Sequence, residues 1–209
     1  MARRSRSRGI RPRRNAWITG VLGLAGIALL AIGGVDIRNH DGTGSPWILL
    51  GGGAALFGLV GFPIALHHAG RVRAMRRGAG LVARWVVPAE EFRSFVEAES
   101  RIPSRSVMVN YYRPPAAVPD AGIEVVFAGD GVLIGESYFP LPTAGLRQLE
   151  SVRRSDAVPA TLECSIGLAS LARTSSVTVQ STRVLYLLRV PMARAAGDAA
   201  RAVLEHYRR

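Results

Sequence analysis

Two stretches of this chain run for 20 residues without a charge: "AWITGVLGLAGIALLAIGGV" at 16–35 and "WILLGGGAALFGLVGFPIAL" at 47–66. As helices, rising about 1.5 Å per residue, each covers the roughly 30 Å of bilayer hydrocarbon. Their many glycines would weaken a soluble helix but are common in membrane helices. Trp17 and Trp47 stand at the start of the two runs, where amphipathic rings favour the membrane interface. A pair of buried core helices is the competing reading, and the arginines flanking both runs argue against it. A cleaved signal peptide competes for the first run alone. Its apolar stretch exceeds the usual h-region of about 7–15 residues, and "AIGGV" is a poor small-x-small cleavage site. Between the runs lies "DIRNHDGTGSP", whose Gly42, Gly44 and Pro46 predict a turn.

Beyond residue 80 the period changes from helical to alternating. "LVARWVV" (81–87) predicts a strand. Pro88 opens "PAEEFRSFVEAES", with Glu90 and Glu91 in the first turn and a narrow stripe of Phe92, Phe95 and Val96. This predicts a short amphipathic helix on which Glu90, Glu91, Glu97 and Glu99 form a solvated face. "RSVMVNYY" reads as a strand and "RPPAAVPDAG" as a stiff loop. In "IEVVFAGDGVLIGESYF", Asp130-Gly131 between two β-rich runs predicts a tight hairpin, because positive φ is cheap there. "TAGLRQLESVRRS" is ambiguous: Leu146, Leu149 and Val152, three apart, suit a helix, but the stretch leans to a strand with irregular ends. "ATLECSIG" alternates, with Leu162, Cys164 and Ile166 on one face. "SSVTVQSTRVLYLLRV" reads as a further hairpin ended by Pro191. "MARAAGDAARAVLEHYRR" closes the chain as a helix with Ala196, Ala200, Val203 and Tyr207 inward, and Arg194, Arg201, Glu205 and Arg208 outward. The expected class is α+β: a two-helix transmembrane hairpin, then a sheet of seven or eight mostly antiparallel strands with an early and a closing helix. The divisions are a tail at 1–15, the hairpin at 16–66, a basic linker at 67–80 and a domain at 81–209.

Charge decides the orientation. The formal net charge of +12 suggests a nucleic-acid binder until its distribution is read. Residues 1–77 hold 12 arginines against two aspartates, +10, whereas 78–209 hold 15 arginines against 13 acids, +2. Seven arginines, Arg3, Arg4, Arg6, Arg8, Arg11, Arg13 and Arg14, precede the first span, and Arg71, Arg73, Arg76 and Arg77 follow the second. Arginine-rich flanks mark the cytoplasmic side. Both ends are therefore expected inside and the intervening loop outside. The same arginines suit anionic headgroups, worth about 1 kcal/mol per basic residue near such a surface. Nucleic-acid binding is not expected, since no aromatic residue precedes Trp17 for base stacking. Every one of the 27 basic residues is arginine, which reads as the codon bias of a GC-rich, bacterial genome.

Candidate chemistry is sparse. The single cysteine, Cys164, excludes an intrachain disulfide and a multi-cysteine zinc site, and its strand pattern favours a buried apolar role. His67 and His68 end the second span and His40 lies in the loop, which leaves His206 for any Ser/His or Cys/His chemistry in the domain. Gly129, Gly131 and Gly135 miss the spacing of a dinucleotide loop. No metal site, cofactor or catalytic residue is expected. Neither span carries an ionisable group of the kind that pumps and channels turn toward a cavity. Gly51 with Ala55, and Ala54 with Gly58, have helix-packing spacing. That spacing fits a homodimer and a hairpin packed on itself equally.

The two-helix hairpin, "FAGDGVLIG", the proline-ended strand "LYLLRVP" and the terminal helix together resemble the bacterial PH-like membrane proteins of the YcxB type. The resemblance covers 16–209; the early helix and the proline loop depart from the pattern. It implies a cytoplasmic PH-like domain whose closing helix plugs one end of a bent sheet. The resulting expectation is a non-enzymatic protein of the bacterial inner membrane that displays this domain to a protein partner. Two alternatives stand beside it: a membrane-bound enzyme using His206, and a subunit of an oligomeric transporter or channel.

Overall fold

The computed structural model describes residues 10–39, 46–102, 110–115, 117–174 and 177–208. The chain forms two compact units, Ile10–Ala74 and a second that begins at Met75. The first consists of α1 (Pro12–Asn39) and most of α2 (Pro46–Arg76). Both helices outrun the apolar stretches that define them, and α2 carries Arg71, Arg73 and Arg76 as helical residues. Both are long and apolar enough to cross a membrane.

The second unit is α+β. β1 (Leu81–Val87), β2 (Ile123–Ala128), β3 (Gly131–Ile134) and β4 (Ser137–Pro140) form one antiparallel sheet in that order. β5 (Arg147–Ser155), β6 (Thr161–Thr174) and β7 (Val177–Pro191) form another. Between β1 and β2 lies α3 (Ala89–Arg101), and α4 (Gly197–His206) closes the chain after a short 3-10 turn, Arg194–Ala196. Among the described residues seven strands are thus divided between two sheets rather than gathered in one.

Alternation builds the core. Leu162, Cys164 and Ile166 of β6 are fully buried and lie opposite Val190, Leu188 and Tyr186 of β7. From the other sheet come Val125 and Phe127, and from α4 come Ala200 and Val203, all with no exposed surface. Each buried Val, Leu or Phe contributes about 1.5–3 kcal/mol. α4 packs chiefly on β1 and β5. Its small residues let it sit close, while Arg194, Arg201, Glu205 and Arg208 face solvent. Two polar links fasten the ends: the Trp85 indole donates to the carbonyl of Pro191 at 3.1 Å, and the Tyr207 hydroxyl donates to that of Ala128 at 2.7 Å.

Several local expectations are corrected. Residues 177–191 form one continuous strand, because every residue from Val177 to Pro191 except Leu185 has a partner on β6. The hairpin expected within this stretch is instead the antiparallel pairing of β6 with β7. The tight turn at 129–131 is centred on Gly129-Asp130, and Gly131 already belongs to β3, paired with Ala128. Positive φ is not what Gly131 supplies: a Cβ there would meet the Tyr138 ring at 2.6 Å. The positive φ of this region belongs to Gly135, at +59°, in the turn between β3 and β4. Pro88 precedes α3 rather than opening it, and the closing α-helix begins at Gly197. Most of the expected strand "RSVMVNYY" lies outside the described residues; its end, Asn110 to Tyr112, is described, with Tyr111 N–H bonded to the Leu187 carbonyl at 2.7 Å.

Candidate functional site

The hairpin is built inside out relative to a soluble helix pair. Its buried positions are small: Ala16, Thr19, Gly26 and Gly33 on α1, with Gly51, Gly58, Ala65 and Ala69 on α2. Its large apolar side chains face outward, with Trp17 73%, Leu24 71%, Leu49 83% and Leu59 75% exposed. Water would penalise such a surface at about 25 cal/mol per Å², whereas lipid would not.

The seam brings backbone against backbone. A Cβ at Gly26 would lie 2.8 Å from the Gly51 carbonyl oxygen, and one at Gly51 would lie 2.7 Å from the Leu30 nitrogen. Gly58 meets the Gly23 backbone just as closely. Of the residues expected to pack helices, Gly51 and Gly58 are buried in this intrachain seam, and the backbones of Ala54 and Ala55 face Gly26. The α1 half, Gly23 and Gly26, escaped the sequence reading. Its signal was the seven-residue spacing of Thr19, Gly26 and Gly33, matched by Gly51, Gly58 and Ala65. That is the repeat of left-handed helix pairing. Thr19 is tolerated in the seam because its hydroxyl donates to the Asn15 carbonyl within α1, at 2.8 Å.

The antiparallel register also gathers charge. Gly33 meets Ile48, Gly23 meets Gly58 and Gly20 meets Phe62. Continued toward the α1 N-terminus, this register carries Arg14 to the level of His67 and Arg11 to that of Gly70. Arg11 and Arg14 therefore share one end of the hairpin with Arg71. Arg14, Arg71 and Arg73 are exposed and Arg11 is half-buried. His67 and His68 lie edge to face at the same end, 5.9 Å apart. Arg3, Arg4, Arg6, Arg8 and the Arg13 side chain lie outside the described residues, as does the loop holding His40. Arg76 is engaged within the second unit. Its guanidinium donates to Glu136 Oε1 at 2.6 Å and to the Gly135 carbonyl at 3.4 Å, so it fastens the β3–β4 turn. Arg77 is exposed.

In the second unit the main polar cluster is one the sequence reading missed. Arg189 of β7 donates to Glu163 Oε1 at 2.8 Å and to Glu99 Oε1 at 3.1 Å. Glu99 is buried, contrary to the solvated face expected of α3, and half-buried Glu91 accepts from the Arg194 backbone N–H at 3.0 Å. The signal for Glu99 was its place on the apolar stripe, four residues after Phe95 and seven after Phe92. Burial works against the Arg189 charge, but its hydrogen bonds to Glu163 and Glu99 outweigh burial and hold its pKa above the ordinary value. Asn110 clamps the same strand: its Oδ1 accepts the backbone N–H of Arg189 at 2.8 Å and of Tyr112 at 3.0 Å, and its amide donates to the Arg189 carbonyl at 3.1 Å.

Cys164 is completely buried, and burial, followed by the neighbouring Glu163 charge, pushes its thiol up to about 12. His206 is exposed at the end of α4, edge-on to Tyr207. A reactive thiol would need access and a positive field, and Cys164 has neither. Among the described residues, no three His, Cys, Asp or Glu side chains are grouped to hold a metal ion. Compared with known protein families, curated proteins and solved structures, the chain gives no match. Fold and site define a class by themselves: an apolar helical hairpin with a basic end, joined to an α+β domain of two antiparallel sheets.

Proposed function

We propose that this protein is anchored in the bacterial cytoplasmic membrane by its hairpin, with both chain ends in the cytoplasm, and serves there without catalysing a reaction. Its α+β domain is PH-like and binds a protein partner. The observation that carries the anchor is the inverted hairpin, with glycines in the seam and leucines, isoleucines and tryptophans outside. The orientation rests on the basic end formed by Arg11, Arg14 and Arg71, against an intervening loop with one arginine and two aspartates. The closing helix seated on β1 and β5 supports the PH-like reading of the domain. The balanced charge of that domain favours a protein partner over nucleic acid. Reporter fusions at Gly44 and after Arg209 test the orientation: only the Gly44 fusion should report the outside. A cytoplasmic signal from Gly44 would overturn it. Affinity isolation of the intact protein in mild detergent tests for the partner, and a chain recovered alone at every detergent strength would count against one.

A further inference from the structure

β6 outruns β5. Their ladder stops where Arg147 faces Leu168, while the β6–β7 ladder continues through six more pairs, from Ala169 opposite Thr182 to Thr174 opposite Val177. At about 3.4 Å per residue, this two-stranded arm reaches roughly 20 Å beyond β5. The chain that enters β5 does not cover it. That chain doubles back on the far edge of β5, where the Leu149 N–H meets the Pro142 carbonyl at 2.7 Å. The β6 edge from Ala169 to Thr174 therefore meets no strand among the described residues. Its free groups follow from the ladder. On β7, the Arg189 N–H bonds Asn110 and the Leu187 carbonyl accepts from Tyr111, so both residues turn away from β6. Leu188 and Tyr186 alternate with them and turn toward Cys164 and Ile166. The extra residues of the two ladders, Glu150 and Leu185, lie on the neighbours of β6, so its own alternation is unbroken. The N–H and C=O of Ala169, Leu171 and Arg173 thus point outward.

We propose that an extended, acidic segment of a partner protein adds to this edge of β6, continuing the line of β5. The proposal rests on the protein-partner reading above and names the chemistry of the partner. An unpaired edge is a template for another strand, and a two-stranded ribbon alone is only marginally stable in water. Main-chain bonding selects an extended chain, and charge selects its sign. From residue 164 to residue 197 the sequence holds no Asp or Glu, and the arm carries Arg173 and Arg183. Arg183 stands opposite Leu168 on one side, and exposed Arg147 stands opposite it on the other. The same charge argues against a second copy, since edge-to-edge pairing would bring two basic arms together. Leu146 and Leu168, 76% and 38% exposed, offer apolar surface where β5 stops. A strand of alternating acidic and apolar side chains matches these arginines and leucines.

The test uses the full chain in phosphatidylcholine nanodiscs and a fluorescein-labelled peptide of alternating Glu and Val, about eight residues long to match the edge. Fluorescence anisotropy reads binding. Wild type should bind this peptide and should bind its Lys-Val counterpart at least about tenfold more weakly. Leu171→Pro removes an outward donor and spares the β6–β7 ladder, so it should weaken binding about tenfold with unchanged circular dichroism. Arg173→Glu keeps every backbone donor and should weaken binding about fivefold. Equal binding of the Glu and Lys peptides would overturn the acidic partner. Full-strength binding by Leu171→Pro would overturn the edge, because the arginine-rich tail is intact in that variant. Should the proline disturb the fold, full-strength binding by Arg173→Glu decides against the site instead. A wild-type dimer that Leu171→Pro turns monomeric would give the edge to a second copy. Affinity isolation separates the two levels. A partner held equally by wild type and Leu171→Pro sinks the edge alone, whereas no partner and no bound peptide sinks the protein-partner reading with it.

Discussion

Arg189 and Glu163 stand opposite each other across the β6–β7 ladder, Nε to Oε1 at 2.8 Å, with Arg189 only 11% exposed. Glu99 reaches the same guanidinium from α3 at 3.1 Å and is 8% exposed. One cation thus serves two carboxylates. Removing it leaves both in a poorly solvated place, so Arg189→Met is expected to destabilise the domain by about 3 kcal/mol. Glu163→Gln, which leaves the Arg189–Glu99 pair in place, should cost roughly 1 kcal/mol. Urea midpoints of the two variants in detergent micelles check the order, and equal midpoints would show that the cluster is not energetically coupled.

Cys164 predicts an alkaline limit. The folded thiol keeps its proton to about 12, whereas the unfolded chain loses it from about 9. Unfolding therefore releases a proton between these values, and stability falls as pH rises, by roughly 1.4 kcal/mol per pH unit. Below this window both states hold the proton and the effect vanishes. Tyr186 and Tyr207 are also raised, chiefly by burial, from an ordinary value of 10.0, and they act in the same direction at higher pH. From about pH 9 to 10 the cysteine contributes the larger share of the loss, and the tyrosines begin to act toward pH 10. Across this interval the urea midpoint of wild type should fall clearly further than that of Cys164→Ala. Cys164→Ala should itself cost about 1 kcal/mol at neutral pH.

On α4, neighbouring residues should respond oppositely. Ala200 has no exposed surface, and Ala200→Glu buries a charge without a partner, which should unfold the domain. Arg201 is 74% exposed and only 3.9 Å from Asp198, so Arg201→Glu should change stability by less than about 1 kcal/mol. Circular dichroism of the two variants distinguishes them, and equal tolerance would refute the seating of this helix.

In the hairpin, Gly58→Leu and Gly53→Leu form a matched pair. A side chain at Gly58 strikes the Gly23 backbone, while one at Gly53 meets nothing within 4 Å. Gly58→Leu should open the seam at a cost of about 1–3 kcal/mol, and Gly53→Leu should be silent. Gel mobility of the hairpin in mild detergent reads the difference, since an opened pair migrates more slowly. Equal mobility of the two variants would dissolve the seam as a stabilising contact.

The sequence by itself determined the two apolar spans, the basic flanks, the α+β class, and the inward faces of β6 and α4. These follow from local rules: run length, charge, and periods of 2 and 3.6 residues. Tertiary structure alone decided the rest. The small-residue pairs on α2 fitted either a dimer or an internal seam, and only the antiparallel register, setting Gly23 against Gly58, shows α1 filling that role. Glu99 looked solvated because helix polarity says nothing of what covers a charge; it is buried because Arg189 arrives from a strand 90 residues away. Strand length in β7 and the division into two sheets also escaped local patterning, because ladder partners are chosen by distant segments.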